Sequence, residues 1–178
     1  TDGEDNVVLV TREGLCITFE EKDVRPIGRV GQGVIGIKLN DGDDVIGMEP
    51  IIVGSKATLL AITENGFGKR TELDEYRVQV RGGKGVKALN LTSKNGNLAS
   101  ILTVRGDEDL MVVTDKGMII RTHLDQILTI GRDTQGVRII LLNEGQKVAN
   151  IAIVPRSEET DELETDEEKI SIFFDEYE

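Results

Sequence analysis

The chain has 178 residues, about the length of one ordinary domain, with 21 basic and 33 acidic side chains and a formal net charge of −12. No apolar stretch approaches the roughly 18 residues of a membrane-spanning helix, and no charged-then-apolar leader directs the chain to secretion. One cysteine (Cys16) and one histidine (His123) exclude an internal disulfide and any cysteine- or histidine-rich metal centre, so a reducing cytoplasm is the expected compartment, and Thr1 at the start suggests a piece of a longer protein.

Val7 to Val10 is an apolar run that a turn at Gly14 ends, and Leu15 to Phe19 restarts after it with Leu15, Ile17 and Phe19 alternating. A Gly-bearing loop follows, then strand-like runs at Val34 to Leu39 and Val45 to Val53, the last holding Pro50. Proline cannot donate to a ladder, so that strand is expected at a sheet edge or broken there. The order returns later in the chain: Leu110 to Val113, Met118 to Ile120, Val137 to Leu142 and Val148 to Val154. Short β-branched runs separated by Gly, Asn and Asp predict strands and hairpins, and no helical period is sustained.

This return is a repeat. Thr11-Arg12-Glu13-Gly14, Thr63-Glu64-Asn65-Gly66 and Thr114-Asp115-Lys116-Gly117 share T-x-x-G, spaced 52 and 51 residues apart. The loops Arg29 to Val34, Arg81 to Val86 and Arg132 to Val137 align at the same spacing, and Leu39, Leu91 and Leu142 follow each in register. Four strands per unit at a period near 50 predict an all-β propeller or pinwheel of four-stranded blades, with three repeats forming a partial ring over 1–53, 54–104 and 105–154. Three blades fall short of a closed ring of about four to eight, so either blades are missing or another copy covers the open faces. Residues 155–178 carry 11 acidic and two basic side chains and read as a disordered acidic tail, able to compete as an intramolecular polyanion for basic surface.

The remaining charge is uneven. Residues 1–53 hold 5 basic and 11 acidic side chains, 54–104 hold 8 and 4, and 105–154 hold 6 and 7. In the middle unit Lys69 and Arg70 sit on the second strand, and Arg77, Arg81, Lys84 and Lys87 surround a Gly-rich loop. Arg121, Arg132 and Arg138 follow in the third unit and Arg29 in the first. Cations at one position of every copy (Arg29, Arg81, Arg132) would form a row along a rim, suited to a polyanion. In Arg81-Gly82-Gly83-Lys84-Gly85, glycines let the backbone approach an anion and aim amides at it, chemistry that duplex phosphates satisfy without base readout. With 3% aromatic residues and no Trp, a single-strand stacking platform is disfavoured.

Gln79-Val80-Arg81-Gly82-Gly83-Lys84-Gly85 resembles the Q-[RK]-R-G-G-[RK]-G box of the bacterial DNA gyrase A subunit, matching at six of seven positions with Val80 in place of a basic residue. Glu64-Asn65-Gly66-Phe67-Gly68-Lys69-Arg70-Thr71, the segment Gly131 to Arg138 and the acidic tail are similar to the C-terminal domain of that family. The resemblance implies a β-pinwheel that binds and wraps double-stranded DNA around its basic rim, Gln79 included, and directs strand passage toward negative supercoiling. It implies as partners the gyrase B subunit together with the rest of the gyrase A subunit, in a cytoplasmic, nucleoid-associated enzyme. It also implies that ATP and magnesium are used elsewhere in an ATP-dependent type II topoisomerase, with no cofactor, metal or catalytic residue in this chain. A protein-interaction propeller and the C-terminal domain of the topoisomerase IV A subunit are the competing readings.

Other residues read blandly. Cys16 alternates with apolar neighbours and is expected to be packed, His123 at a strand end is expected on the surface, and Tyr76 lacks an acid-base neighbourhood. Asp43 and Asp44 belong to a turn, and Asp41-Gly42-Asp43 lacks the rest of a calcium loop.

Overall fold

The computed structural model describes residues 1–156. The acidic tail expected from 155 onward lies outside the described residues except at its start, where Pro155 still belongs to a strand. Eleven strands form three antiparallel sheets and no helix longer than a single 3-10 turn is present among the described residues.

In the first repeat, β1 (Asn6–Thr11) pairs with β2 (Leu15–Glu20) and with β3 (Val45–Ile51). In the second, β4 (Thr58–Thr63) lies between β5 (Phe67–Glu72) and β7 (Leu98–Val104); in the third, β8 (Glu108–Thr114) lies between β9 (Ile119–His123) and β11 (Val148–Pro155). Pro50 falls in β3, which pairs only with β1, so the expected edge position holds.

The T-x-x-G motif is the hairpin turn between the first two strands of each unit. The amides of Gly14, Gly66 and Gly117 donate to the carbonyls of Thr11, Thr63 and Thr114 at 3.0 Å, and these glycines sit at φ 80, 78 and 79°. The buried threonine hydroxyls accept from the amides of Leu15, Phe67 and Met118 at 3.2, 3.2 and 3.0 Å. Glycine is needed for the left-handed turn residue and threonine satisfies an amide the turn would otherwise orphan.

The fourth strand of a blade does not come from its own repeat. β6 (Val86–Lys87) pairs with β2, placing Val86 opposite Cys16, and β10 (Val137–Arg138) pairs with β5, placing Val137 opposite Gly68. Each of the first two blades is thus completed by the Gly-rich segment of the following repeat. The four-stranded sheets run β3-β1-β2-β6 and β10-β5-β4-β7, and the third sheet has only β11, β8 and β9. The strand expected at Val34 to Leu39 does not form, because the second-strand edge it would join belongs to a blade absent from the described residues. The strand expected at Val137 to Leu142 shortens to two residues.

Packing follows the pleat. One face of the first sheet (Val8, Val10, Cys16) meets Leu59 and Ala61 of the second, sealed by Ala88 and Leu89. The opposite face of the second (Leu60, Ile62) meets Leu110 and Val112 of the third, sealed by Ile140. Each fully buried Leu or Ile stabilises by about 1.5–3 kcal/mol, so the core lies between blades and no blade buries both faces alone. β7 neighbours both β3 and β11 on the inner side, which puts β6, β10 and their Gly-rich segments on the outer edge.

Candidate nucleic-acid interface on the outer edge

Each Gly-rich segment runs along the outer edge of the preceding blade. Val78 bridges Thr18 in parallel, the Gln79 amide donates to the Thr18 carbonyl at 2.7 Å, and the chain then turns back so that Val86 opposes Cys16. One repeat on, Thr129 bridges Arg70 and the Ile130 amide donates to the Arg70 carbonyl at 2.9 Å. The segments are chained to one another: Lys38 donates its amide to Gly83 at 2.8 Å, and Asn90 to Thr134 at 2.9 Å.

The aligned arginines join these segments. Arg81 donates from Nε to the Asp23 carbonyl at 3.0 Å and from Nη1 to the Ile35 carbonyl at 3.1 Å. Arg132 donates from Nη1 to the Lys87 carbonyl at 2.6 Å, and its amide binds the Glu75 carboxylate at 2.7 Å. Lys87 stands 52 residues after Ile35, so the same contact is made twice. Both arginines are half-buried and act first as staples between repeats; Arg29, their counterpart in the first repeat, is exposed.

The other expected residues divide. Arg77, Lys84, Lys87 and Arg138 are exposed along with Arg29. Among the described residues Arg29, Arg77 and Lys84 have no carboxylate within ion-pair distance, and Lys87 reaches Asp133 only at 4.0 Å. Arg138 lies over the Phe67 ring at 5.2 Å and Lys94 over the same ring at 5.4 Å, a cation–π arrangement that brings together residues far apart in sequence. Arg70 is half-buried, with Nε donating to the Ile127 carbonyl at 2.9 Å. The half-buried Gln79 serves through its amide.

Lys69 requires a correction: its side chain is fully buried. Its ammonium donates to the carbonyl of Gly131 at 2.8 Å, to the Thr134 hydroxyl at 3.2 Å and to the Arg132 carbonyl. It ties down the third Gly-rich loop from within, and its ammonium is spent on these three acceptors. Desolvation lowers its pKa from 10.5 to about 8. The glycines also change role. Gly82 (φ 78°) spends its amide on the Gly36 carbonyl at 2.6 Å, and a Cβ on Gly85 (φ 73°) would lie 2.1 Å from the Cys16 carbonyl oxygen. Strand exchange, before any anion, demands glycine at Gly85, while within the loop from Arg81 to Gly85 Lys84 is the exposed residue.

Arg121 and His123 also depart from expectation. Asp109, wholly buried, accepts from Arg121 Nε at 2.7 Å and faces His123 Nδ1 at 2.6 Å. Arg121 also donates to the Pro155 carbonyl at 3.1 Å, leaving 33% of its side chain exposed. Burial alone would raise the Asp109 pKa, but the hydrogen bonds from His123 and Arg121 prevail and hold it below the usual carboxylate range. His123 is therefore buried, not on the surface. The signal was in register: Asp109 pairs with His123 across the β8–β9 hairpin. Cys16 is packed as expected, with burial pushing its pKa to about 12, and Tyr76 is buried with its phenol shifted upward by desolvation.

The sequence model of the family described as "DNA gyrase C-terminal domain, beta-propeller" matches residues 5–52, 57–105 and 108–155. The chain belongs to that family. Over 171 residues it is 43% identical to the DNA gyrase A subunit of Staphylococcus aureus strain NCTC 8325, a match covering 96% of this chain and 19% of that protein. The match to the same protein of strain MRSA252 is 44% over 168 residues, covering 94% and 19%. The chain thus spans about a fifth of the length of these relatives. A solved gyrase A C-terminal domain superimposes with a TM-score of 0.77 at 25% identity, covering 84% of this chain and 50% of that one. A topoisomerase IV C-terminal domain shares the fold at a TM-score of 0.81 and 24% identity, covering 95% and 52%. The strand-exchanged blades described above are those of a gyrase-type C-terminal β-pinwheel. Among the described residues no helix is long and apolar enough to cross a membrane.

Proposed function

We propose that the outer edge binds the backbone of double-stranded DNA and bends it across successive blades, as the wrapping domain of a gyrase A subunit. The observation that carries this reading is the chain of three Gly-rich segments along one edge, which brings Arg29 of the first, Lys84 and Lys87 of the second and Arg138 of the third to the surface, Lys87 and Arg138 at equivalent positions of their repeats. Phosphates neutralised in register supply affinity without sequence readout, and a curved row rewards a bent duplex. Identity of 43% to the gyrase A protein favours that parent over topoisomerase IV. In this reading the B subunit, with the rest of the A subunit, performs cleavage and ATP hydrolysis with magnesium in the cytoplasm. This chain supplies DNA geometry and holds no cofactor.

The test is fluorescence anisotropy with a short duplex at several salt concentrations. Affinity should fall steeply with salt, and K84A/K87A should weaken all sequences alike and reduce the log–log salt slope by about 2. Duplex affinity independent of both salt and these lysines would discard the proposal in favour of a protein-binding propeller.

A further inference from the structure

The strand registers set the repeats side by side, column by column. Asn6, Thr58 and Asp109 share one column, opposite Glu20, Glu72 and His123, and Thr18, Arg70 and Arg121 share another. Both arginines of the second column are spent inside the protein. Arg70 donates from Nε to the Ile127 carbonyl at 2.9 Å. Its guanidinium lies along the linker to the third repeat, where a Cβ on Gly106 would meet Nη1 at 2.5 Å. Arg121 donates to the Asp109 carboxylate and to the Pro155 carbonyl.

Thr18 is too short for either arrangement. At its place a cavity of about 370 Å³ opens between the first and second repeats. Thr18, Ile51, Leu73 and Tyr76 are buried in its floor, and Asn6, Asp74 and Arg77 stand around it. The linker forms a wall, and there a Cβ on Gly54 would meet nothing within 4 Å. All of the lining lies within residues 6–78, across a junction internal to the chain.

The acceptors that hold an arginine in the later repeats recur here without one. The Tyr76 carbonyl, counterpart of the Ile127 carbonyl that binds Arg70, accepts no hydrogen bond among the described residues. Asn6 is the counterpart of Asp109, which binds Arg121. The buried Thr18 hydroxyl has no hydrogen-bond partner among the described residues. Asp74, exposed at the mouth, has no cation within ion-pair distance among the described residues, whereas its counterpart Asp125 pairs with Arg156 at 2.7 Å.

We propose that this cavity binds a guanidinium group supplied from outside the chain, at the point where the arginine column is interrupted. A guanidinium stays charged at any ordinary pH and spreads five donors in one plane. It can therefore meet carbonyl, hydroxyl and amide acceptors together, which a compact ammonium does less well. The methylene stem has Ile51 and Leu73 to lie against. The volume is at the lower end of the roughly 300–1,000 Å³ of small-ligand sites. Arg77 at the mouth offers a partner to a free carboxylate. The group can thus come from free arginine, or from an arginine residue of a polypeptide, in which that carboxylate is an amide.

Isothermal titration calorimetry of this chain with L-arginine and with Nα-acetyl-arginine amide tests the proposal and separates the two sources. Tighter binding of free arginine identifies a small molecule, and equal or tighter binding of the capped compound identifies a polypeptide. Citrulline, of similar shape but uncharged, should bind about tenfold more weakly or not at all. In amide NMR spectra the titration should move Gly54 and residues 74–78. T18R fills the cavity from within, so it should melt above the parent and lose arginine binding. N6D supplies the carboxylate of the third repeat and should tighten arginine binding; it decides the matter should T18R fail to fold. The proposal is overturned if neither arginine compound saturates in the millimolar range, or if citrulline binds equally well. Spectral changes away from the cavity, a folded T18R that binds like the parent, or an N6D that binds no tighter would each overturn it as well.

Discussion

Replacing Gly85 by alanine separates two reasons for a glycine in the basic loop. If the residue serves close approach to phosphate, G85A weakens DNA binding in an intact fold. The geometry predicts the reverse order of damage. A Cβ at this position would sit 2.1 Å from the Cys16 carbonyl oxygen, at a φ of 73°. Left-handed backbone costs an L-residue about 1–2 kcal/mol. Relieving the contact moves Val86 away from Cys16, and the ladder bonds around that pair lose about 1 kcal/mol each. The sum is roughly 3–4 kcal/mol, a fall in Tm of about 10 °C for a chain of this size.

G42A is the control. Gly42 has nearly the same φ, 81°, but its Cβ would meet nothing within 4 Å, so only the backbone strain of about 1–2 kcal/mol applies. Thermal unfolding followed by circular dichroism compares the two, with duplex affinity measured below both transitions. Coincident melting curves, together with a loss of DNA affinity confined to G85A, would refute the strand-exchange account and return this glycine to the ligand.

Lys84 and Arg81 should also part company: K84A leaves Tm unchanged and lowers the salt slope by about 1, while R81A, losing two carbonyl contacts, also costs about 1–2 kcal/mol of stability. For Lys69 the folded pKa of about 8 lies below the unfolded 10.5, so between those values the unfolded chain binds more protons and stability rises with pH. Urea unfolding across that window should show a component of about 3 kcal/mol at most in the parent that K69M lacks. Asp109 has the same sign in an acid window: its depressed pKa contributes stability above about pH 4 that is lost as the solution is acidified through the folded value, and D109N should flatten this acid limb while costing about 3 kcal/mol at neutral pH. Removing residues 157–178, an acidic stretch in the sequence, should tighten duplex binding at low salt, read by the same anisotropy titration.

What the sequence disclosed, and what it hid, follows from the difference between a pattern and a partner. The T-x-x-G turns and the spacings of 52 and 51 were legible because turn chemistry is local and repetition multiplies it. Val34 to Leu39 is about as apolar as its counterparts and forms no strand, since pairing needs an edge and alternation cannot say which blade supplies it. Charge was misread for a related reason. Arg81 and Arg132 stand in a column of arginines, which suggested a ligand, yet a column invariant across repeats is what a contact between repeats also requires. Lys69 carried the opposite signal. Its counterparts are Ile17 and Ile120, and a cation in an otherwise apolar column is more readily explained by burial with hydrogen-bond partners than by a ligand. Lys84 stands where the other repeats have Gln32 and Gln135, an exposed column of polar residues that differ in charge, and there a cation is free to meet a phosphate. Comparing repeat against repeat, column by column, thus separates the charges that build this rim from those it can present.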